Sequence, residues 1–184
     1  MEINKVKYRV ERKNENIDMS LDKTSINGMK SQLDWIKRML EYSYFSTSYA
    51  LRFDLKAGEI YEIDWGVNVN AEFSHRHYGV VLQDSNEFNP LVMVCPIKTN
   101  RLGGNRKSDI DLGIIEGISE EGTKSLAIIN QIRTVDKMRI YSKNIINGES
   151  NIIDKDPIVL SKKKLDLIKS AYLNLILSGS IYRC

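Results

Sequence analysis

The sequence predicts an α+β fold, a small antiparallel β-barrel carrying a C-terminal helix, with an amphipathic helix added in front of it. Three observations carry that prediction. Apolar residues recur at spacings of three and four from Ile26 to Leu40, alternate with a period of two from Glu59 onward, and return to one helical face between Leu165 and Ile176. At 184 residues, with 42% hydrophobic and 28% charged side chains, the chain can bury one good core and carry one appendage. The expected division is an arm and helix over residues 1–55 and a barrel domain over 56–184.

Residues 1 to about 20 are polar, charged and aperiodic, and no structure is assigned to them. The first helix starts near Asp22 or Thr24, either of which suits a cap, and shows the narrow stripe Ile26, Met29, Leu33, Ile36, Leu40. It runs toward Glu41-Tyr-Ser-Tyr-Phe45 and weakens in the Ser/Thr-rich stretch beyond; Ala57-Gly58 then reads as a turn. In the first strand Tyr61, Ile63 and Trp65 alternate with Ile60, Glu62 and Asp64, one apolar face against one mixed face. A polar loop from Gly66 to about His75 leads to a second strand at Tyr78-Gly-Val-Val-Leu-Gln83, and the Asn-rich turn Asp84 to Pro90 leads to a third at Leu91-Val-Met-Val-Cys-Pro-Ile97. Beyond a glycine-rich basic loop, Arg101 to Lys107, come a fourth strand at Ser108-Asp-Ile-Asp-Leu112 and a fifth running from Ser125 to Ile132. Pro157 and Ser161 precede the terminal helix, whose face is Leu165, Ile168, Ala171, Tyr172, Leu175 and Ile176. Short strands separated by turn signals and finished by a helix fit a small barrel better than a βαβ sheet.

A net charge of +3 is too small to announce a nucleic-acid binder, but the charge is unevenly spread. Basic residues gather at Lys5 to Lys13, at Lys98, Arg101, Arg106 and Lys107, at Arg133, Lys137, Arg139 and Lys143, and at Lys162 to Lys164; acidic residues concentrate between Asp109 and Glu121. Cys95 lies in an apolar run and Cys184 is the last residue, so they offer neither metal-ligand spacing nor a staple. No run approaches the ~20 apolar residues of a membrane span and no leader pattern follows Met1. A cytoplasmic location, no membrane partner and no cofactor are expected.

Three segments then stand out together. The first is Gly58-Glu-Ile-Tyr-Glu-Ile-Asp-Trp-Gly66, followed after a polar loop containing Glu72 by His75-Arg76-His77 and Gly79-Val-Val-Leu82. The second is Val92-Met-Val-Cys-Pro-Ile-Lys-Thr99, and the third, the most specific, is Gln131-Ile-Arg-Thr-Val-Asp-Lys-Met-Arg139. In order and spacing, over about residues 57 to 177, they resemble the MazF/PemK (Kid-like) toxin family of type II toxin–antitoxin systems. The resemblance implies an SH3-like barrel and a homodimer with RNA in a groove at the subunit interface. It implies sequence-selective cleavage of single-stranded RNA without a metal, to a 2′,3′-cyclic phosphate and a 5′-hydroxyl, and a partner antitoxin that neutralises the toxin.

Such cleavage needs a base for the 2′-hydroxyl proton, an acid for the departing 5′-oxygen, and positive charge on the phosphate. The family places an arginine at the start of the second strand and a serine or threonine after the third. An ungapped count puts His77 at the first position; a one-residue slip puts Arg76 there. Both are chemically sensible, histidine as base or acid and arginine as a phosphate clamp. At the second position Thr99 is the natural hydroxyl, whereas strict register gives Lys98. RNA contacts are expected from Glu72, Phe73, His75, Lys98, Arg101, Arg106, Lys107, Gln131 and Arg133, with Phe73 the better base-stacking candidate because Trp65 reads as core. Thr134 and Asp136 read as structural. Outside the resemblance, the stripe of the first helix has to be covered. It is expected to pack on the barrel or across the dimer, with occlusion of the RNA groove as the sharper alternative.

Two rival functions use the same fold: a CcdB-like toxin that poisons a protein such as DNA gyrase, and a silent barrel that binds RNA without cutting it. The clustering of His75, Arg76, His77, Lys98 and Arg101 at neighbouring strand ends speaks against the first.

Overall fold

The computed structural model describes residues 23–48, 53–69, 71–100, 109–119, 122–140, 145–146, 149–150 and 157–178. The expectations for the arm, the cap Asp22 and the basic loop Arg101, Arg106, Lys107 fall outside those residues. The chain divides into two compact units, residues 1–37 and 38–184. The described part of the first unit is helical. It opens α1, Lys23–Ser48, which extends through the Ser/Thr-rich stretch rather than ending before it. Its apolar stripe is open to solvent, Met29 53%, Leu33 64% and Ile36 50% exposed, as is Leu40 (67%) in the second unit. The cover that the stripe calls for is therefore not found within the described residues.

In the second unit, β1 (Glu59–Asp64), β2 (Arg76–Val81) and β3 (Leu91–Asn100) form an antiparallel meander. β4 (Asp109–Gly113) and β5 (Lys124–Ile128) form a hairpin on the far part of β3. β6 (Arg133–Asp136) pairs with the near part of β3. The two-residue strands β7 (Ile145–Ile146) and β8 (Glu149–Ser150) pair with each other, and β9 (Ile158–Val159) adds to β1. Downstream of β6 a bridge between Ile140 and Ile63 returns the chain to β1, so that β1, β2, β3 and β6 curl into a ring. The expected fifth strand is corrected here. It stops at Ile128, a 3-10 turn over Ile129–Gln131 redirects the chain, and β6 begins at Arg133.

The curl has apolar side chains on both faces. Inside the ring, Tyr61, Ile63 and Trp65 meet Val81, Val92, Val94 and Val135. The outer face carries Ile60, Val80, Cys95, Ile97 and Ala127, covered by α2 (Lys162–Ser178) through Leu165 and Ile168. Burial pushes the Cys95 thiol well above its ordinary range, which leaves it as a core side chain. Ala171, Tyr172 and Leu175 pack against this core, but Ile176 is solvent-exposed, one residue beyond the covered face. Gly79 has to be glycine, because a Cβ there would lie 2.7 Å from Ile63 Cδ1 and 2.8 Å from Trp65 Cζ2. No helix is long and apolar enough to cross a membrane among the described residues.

Candidate nucleic-acid site

β2 and β3 run side by side only as far as Gly79↔Pro96. From Ile97 the strand pairs with β5 instead. The parting opens a groove of about 390 Å³ bordered by Glu62, Arg76, His77 and Tyr78 on one side, by Lys98, Thr99 and Ser125 on the other, and by Ile97 and Ile118. Arg76, His77, Lys98 and Thr99 are thus brought together from two strands that are adjacent at their other ends.

Strand alternation sorts these residues. On β1 and β2 the cross-strand pairs Ile60↔Val80, Glu62↔Tyr78 and Asp64↔Arg76 share the face that carries the α2-side core. Thr99 lies on that same face, two residues beyond Ile97 and opposite Ser125. Arg76 and Thr99 therefore look onto one side of the sheet. His77, paired with Ile63, belongs to the other face, and its ring lies 4.9 Å from that of Phe73 at the groove's rim. Burial and the neighbouring His75 lower the His77 pKa below the ordinary 6.5, with Glu62 acting in the opposite direction. Lys98 turns away from Thr99 and binds the buried Asp109 carboxylate at 2.8 Å.

The loop between β1 and β2 is held from behind. Asn68 Nδ2 donates to the carbonyls of Trp65 (2.9 Å) and Phe73 (2.7 Å), and the same two carbonyls accept from Arg133 Nη2 at 2.7 and 3.4 Å. The Arg133 guanidinium also sits 5.0 Å over the Trp65 ring, and its buried Nε has no hydrogen-bond partner among the described residues. Gln131 accepts from Phe73 N and donates to Ala71 O; Glu72 accepts from Val69 N within the loop. Phe73 stands edge-on to Trp65 at 5.3 Å, and Trp65 is fully buried, as its alternation predicts. His75 ends the loop at φ 66°, a left-handed conformation that histidine tolerates better than most residues. Gln131 and Arg133 thus touch the loop backbone, not the groove walls.

Thr134 pairs with Met93, and Asp136 accepts from Met138 N at 2.8 Å to cap the following turn, while Arg133 turns to the loop instead of toward them. Two further residues of the matched segments complete the frame. Lys137, 1% exposed, donates to the carbonyls of Phe53 (2.8 Å) and Asn86 (2.7 Å). Asp64 is fully buried; its Oδ2 accepts from Arg38 Nε at 2.8 Å and from Tyr42 Oη at 3.0 Å, and its Oδ1 accepts from Gly66 N at 3.1 Å. Their partners lie too far along the chain for any local pattern to reveal.

Residues 56–156, more than half of the chain, match the family model described as PemK-like, MazF-like toxin of type II toxin–antitoxin system. No curated protein sequence matches. Among solved structures, MazF (Form-I) from Deinococcus radiodurans is similar at 15% identity, over 70% of this chain and 99% of that one, with a TM-score of 0.49. An endoribonuclease in complex with its cognate antitoxin, from a mycobacterial species, is similar at 12% identity over 66% and 94% of the two chains, with a TM-score of 0.42.

Proposed function

The chain belongs to the PemK-like, MazF-like toxin family of type II toxin–antitoxin systems, and on that premise we propose that it is an endoribonuclease cutting single-stranded RNA in the groove between β2 and β5. One observation carries the proposal: Arg76, His77, Lys98 and Thr99 meet around a single groove where β3 leaves β2. A cation and a hydroxyl on one face, with a histidine at the rim, meet the needs of phosphodiester cleavage through the substrate's own 2′-hydroxyl.

In this reading Arg76 and Thr99 hold the scissile phosphate, which favours Arg76 as the phosphate-facing member of the triplet. Arginine fits that task because its fork stays charged and meets two phosphate oxygens at once. His77, whose pKa burial and His75 hold below the ordinary value, takes the 2′-hydroxyl proton. The 2′-oxygen bonds to phosphorus, the bond to the 5′-oxygen breaks, and that oxygen leaves protonated from solvent. The products are a 2′,3′-cyclic phosphate and a 5′-hydroxyl, and no metal is required. Phe73 offers a base-stacking surface beside His77, while Gln131, Arg133 and Glu72 serve by fixing the loop that presents it. In this reading the toxin works as a cytoplasmic homodimer and is neutralised by an antitoxin.

The test is to incubate the full-length chain with a long unstructured RNA in EDTA and map the product ends. Discrete cuts ending in cyclic phosphate are expected, abolished in Arg76→Ala and strongly reduced in His77→Ala and Thr99→Ala. Intact RNA in the presence of folded protein overturns the nuclease reading.

A further inference from the structure

Asp64 is a fully buried carboxylate in cross-strand register with Arg76. Trp65 N donates to His75 O at 2.9 Å and His75 N donates to Gly66 O at 2.6 Å, so the ladder bonds fall beyond Asp64↔Arg76, which is a non-hydrogen-bonded pair. At such pairs the side chains stand closest, with Cβ atoms about 4.5–5.5 Å apart. Arg76 is thus the cation that the strand pairing itself sets beside Asp64. In the structure, however, Asp64 Oδ2 is bound by Arg38 and Tyr42, one helical turn apart in α1. A carboxylate removed from water needs a cation, and deleting one partner of such a pair leaves a charge that recruits another.

We infer that Arg38 and Tyr42 are positioning residues for the RNA site: by holding Asp64 they keep Arg76 directed to the groove, and without them Arg76 collapses onto Asp64 and is lost to the phosphate. This inference rests on the reading of Arg76 as the phosphate-binding cation, and it assigns the unmatched α1 segment an activating role, the reverse of groove occlusion.

The experiment compares the full-length protein with Arg38→Ala, Arg38→Lys, Asp64→Asn and the double variant Arg38→Ala/Asp64→Asn. Each is checked for native circular dichroism and assayed for RNA cleavage and for binding of a 2′-deoxy oligonucleotide that it cannot cut. Arg38→Ala is expected to lose about 100-fold in cleavage, in line with removal of a phosphate donor, and to bind the oligonucleotide more weakly. The double variant is expected to recover about 10- to 100-fold of that loss, because a neutral amide no longer captures Arg76. Arg38→Lys, which keeps the charge, stays near the native rate. A folded Arg38→Ala at the native rate overturns the inference, as does a folded double variant with no recovery; in both cases the nuclease reading stands. If the native protein leaves RNA intact, that reading fails on its own, and loss and recovery of oligonucleotide binding still decide the role of Arg38. If Arg38→Ala does not fold, Tyr42→Phe with and without Asp64→Asn repeats the comparison, and absence of recovery again overturns it.

Discussion

Lys137 and Arg133 on one side, Arg76 and Lys98 on the other, look equivalent in the sequence as members of basic clusters. Their surroundings in the fold separate them. Lys137 is buried against backbone carbonyls of residues 53 and 86, and Arg133 spans the carbonyls of residues 65 and 73, so each ties loop segments together. Arg76 and Lys98 stand at strand ends and border an open groove. A cation desolvated among carbonyl oxygens spends its donors on the backbone, whereas at the groove wall Lys98 binds a carboxylate, Asp109, and Arg76 borders the opening. Position in the pairing ladder, rather than local charge density, separates the basic residues that tie backbone segments together from those that border the groove.

That division can be broken in order of expected effect. Arg76→Ala should lower cleavage by about 10²–10³-fold while the denaturation midpoint stays where it is, measured by product mapping beside urea unfolding. Lys137→Met should do the reverse. Leaving its carbonyl partners unsatisfied costs about 3 kcal/mol in stability, seen as a lower urea midpoint, and the fraction still folded should cut at the native rate. Arg133→Ala should fall between them, with about 1–2 kcal/mol lost and a raised KM as the loop that carries Phe73 loosens. The smallest change is in pH response. A base works deprotonated, so activity should fall with acid through a His77 pKa that lies below 6.5. His75 contributes to that lowering, so His75→Asn, which tolerates the same backbone conformation, should move the acid limb of the kcat/KM profile to higher pH. An unmoved limb separates His77 from the proton transfer.

Much of the frame was legible. β1 announced itself by alternation, β3 by its β-branched run, and α2 by the spacing of Leu165 and Ile168. The run from Ser125 to Ile132 misled because Ile128, Ile129 and Ile132 remain apolar through a 3-10 turn that hydrophobicity does not register. The two-residue β9 and the Ile140 bridge are too short for any period, and their pairing is decided by closure of the ring. At the candidate site, the three matched segments contain the strand ends that border the groove. Only register could show that Arg76 shares its face with Thr99 while Lys98 turns to Asp109. Arg38 and Asp64 lie 26 residues apart, and nothing in the composition of either segment names the other.

β3 is shared by three neighbours, β6 along its first residues, β2 at its middle and β5 along its last. The timing of biosynthesis follows. A growing chain already carries Arg76 and Thr99 while the β5 wall is still unmade and the ring is still open. The groove's second wall lacks its β5 part until Ser125 has emerged, and the ring has no closure until Ile140. Because domains fold as units once their last pairing elements are present, a truncated or stalled product ending before β5 carries the groove's chemistry without its shape.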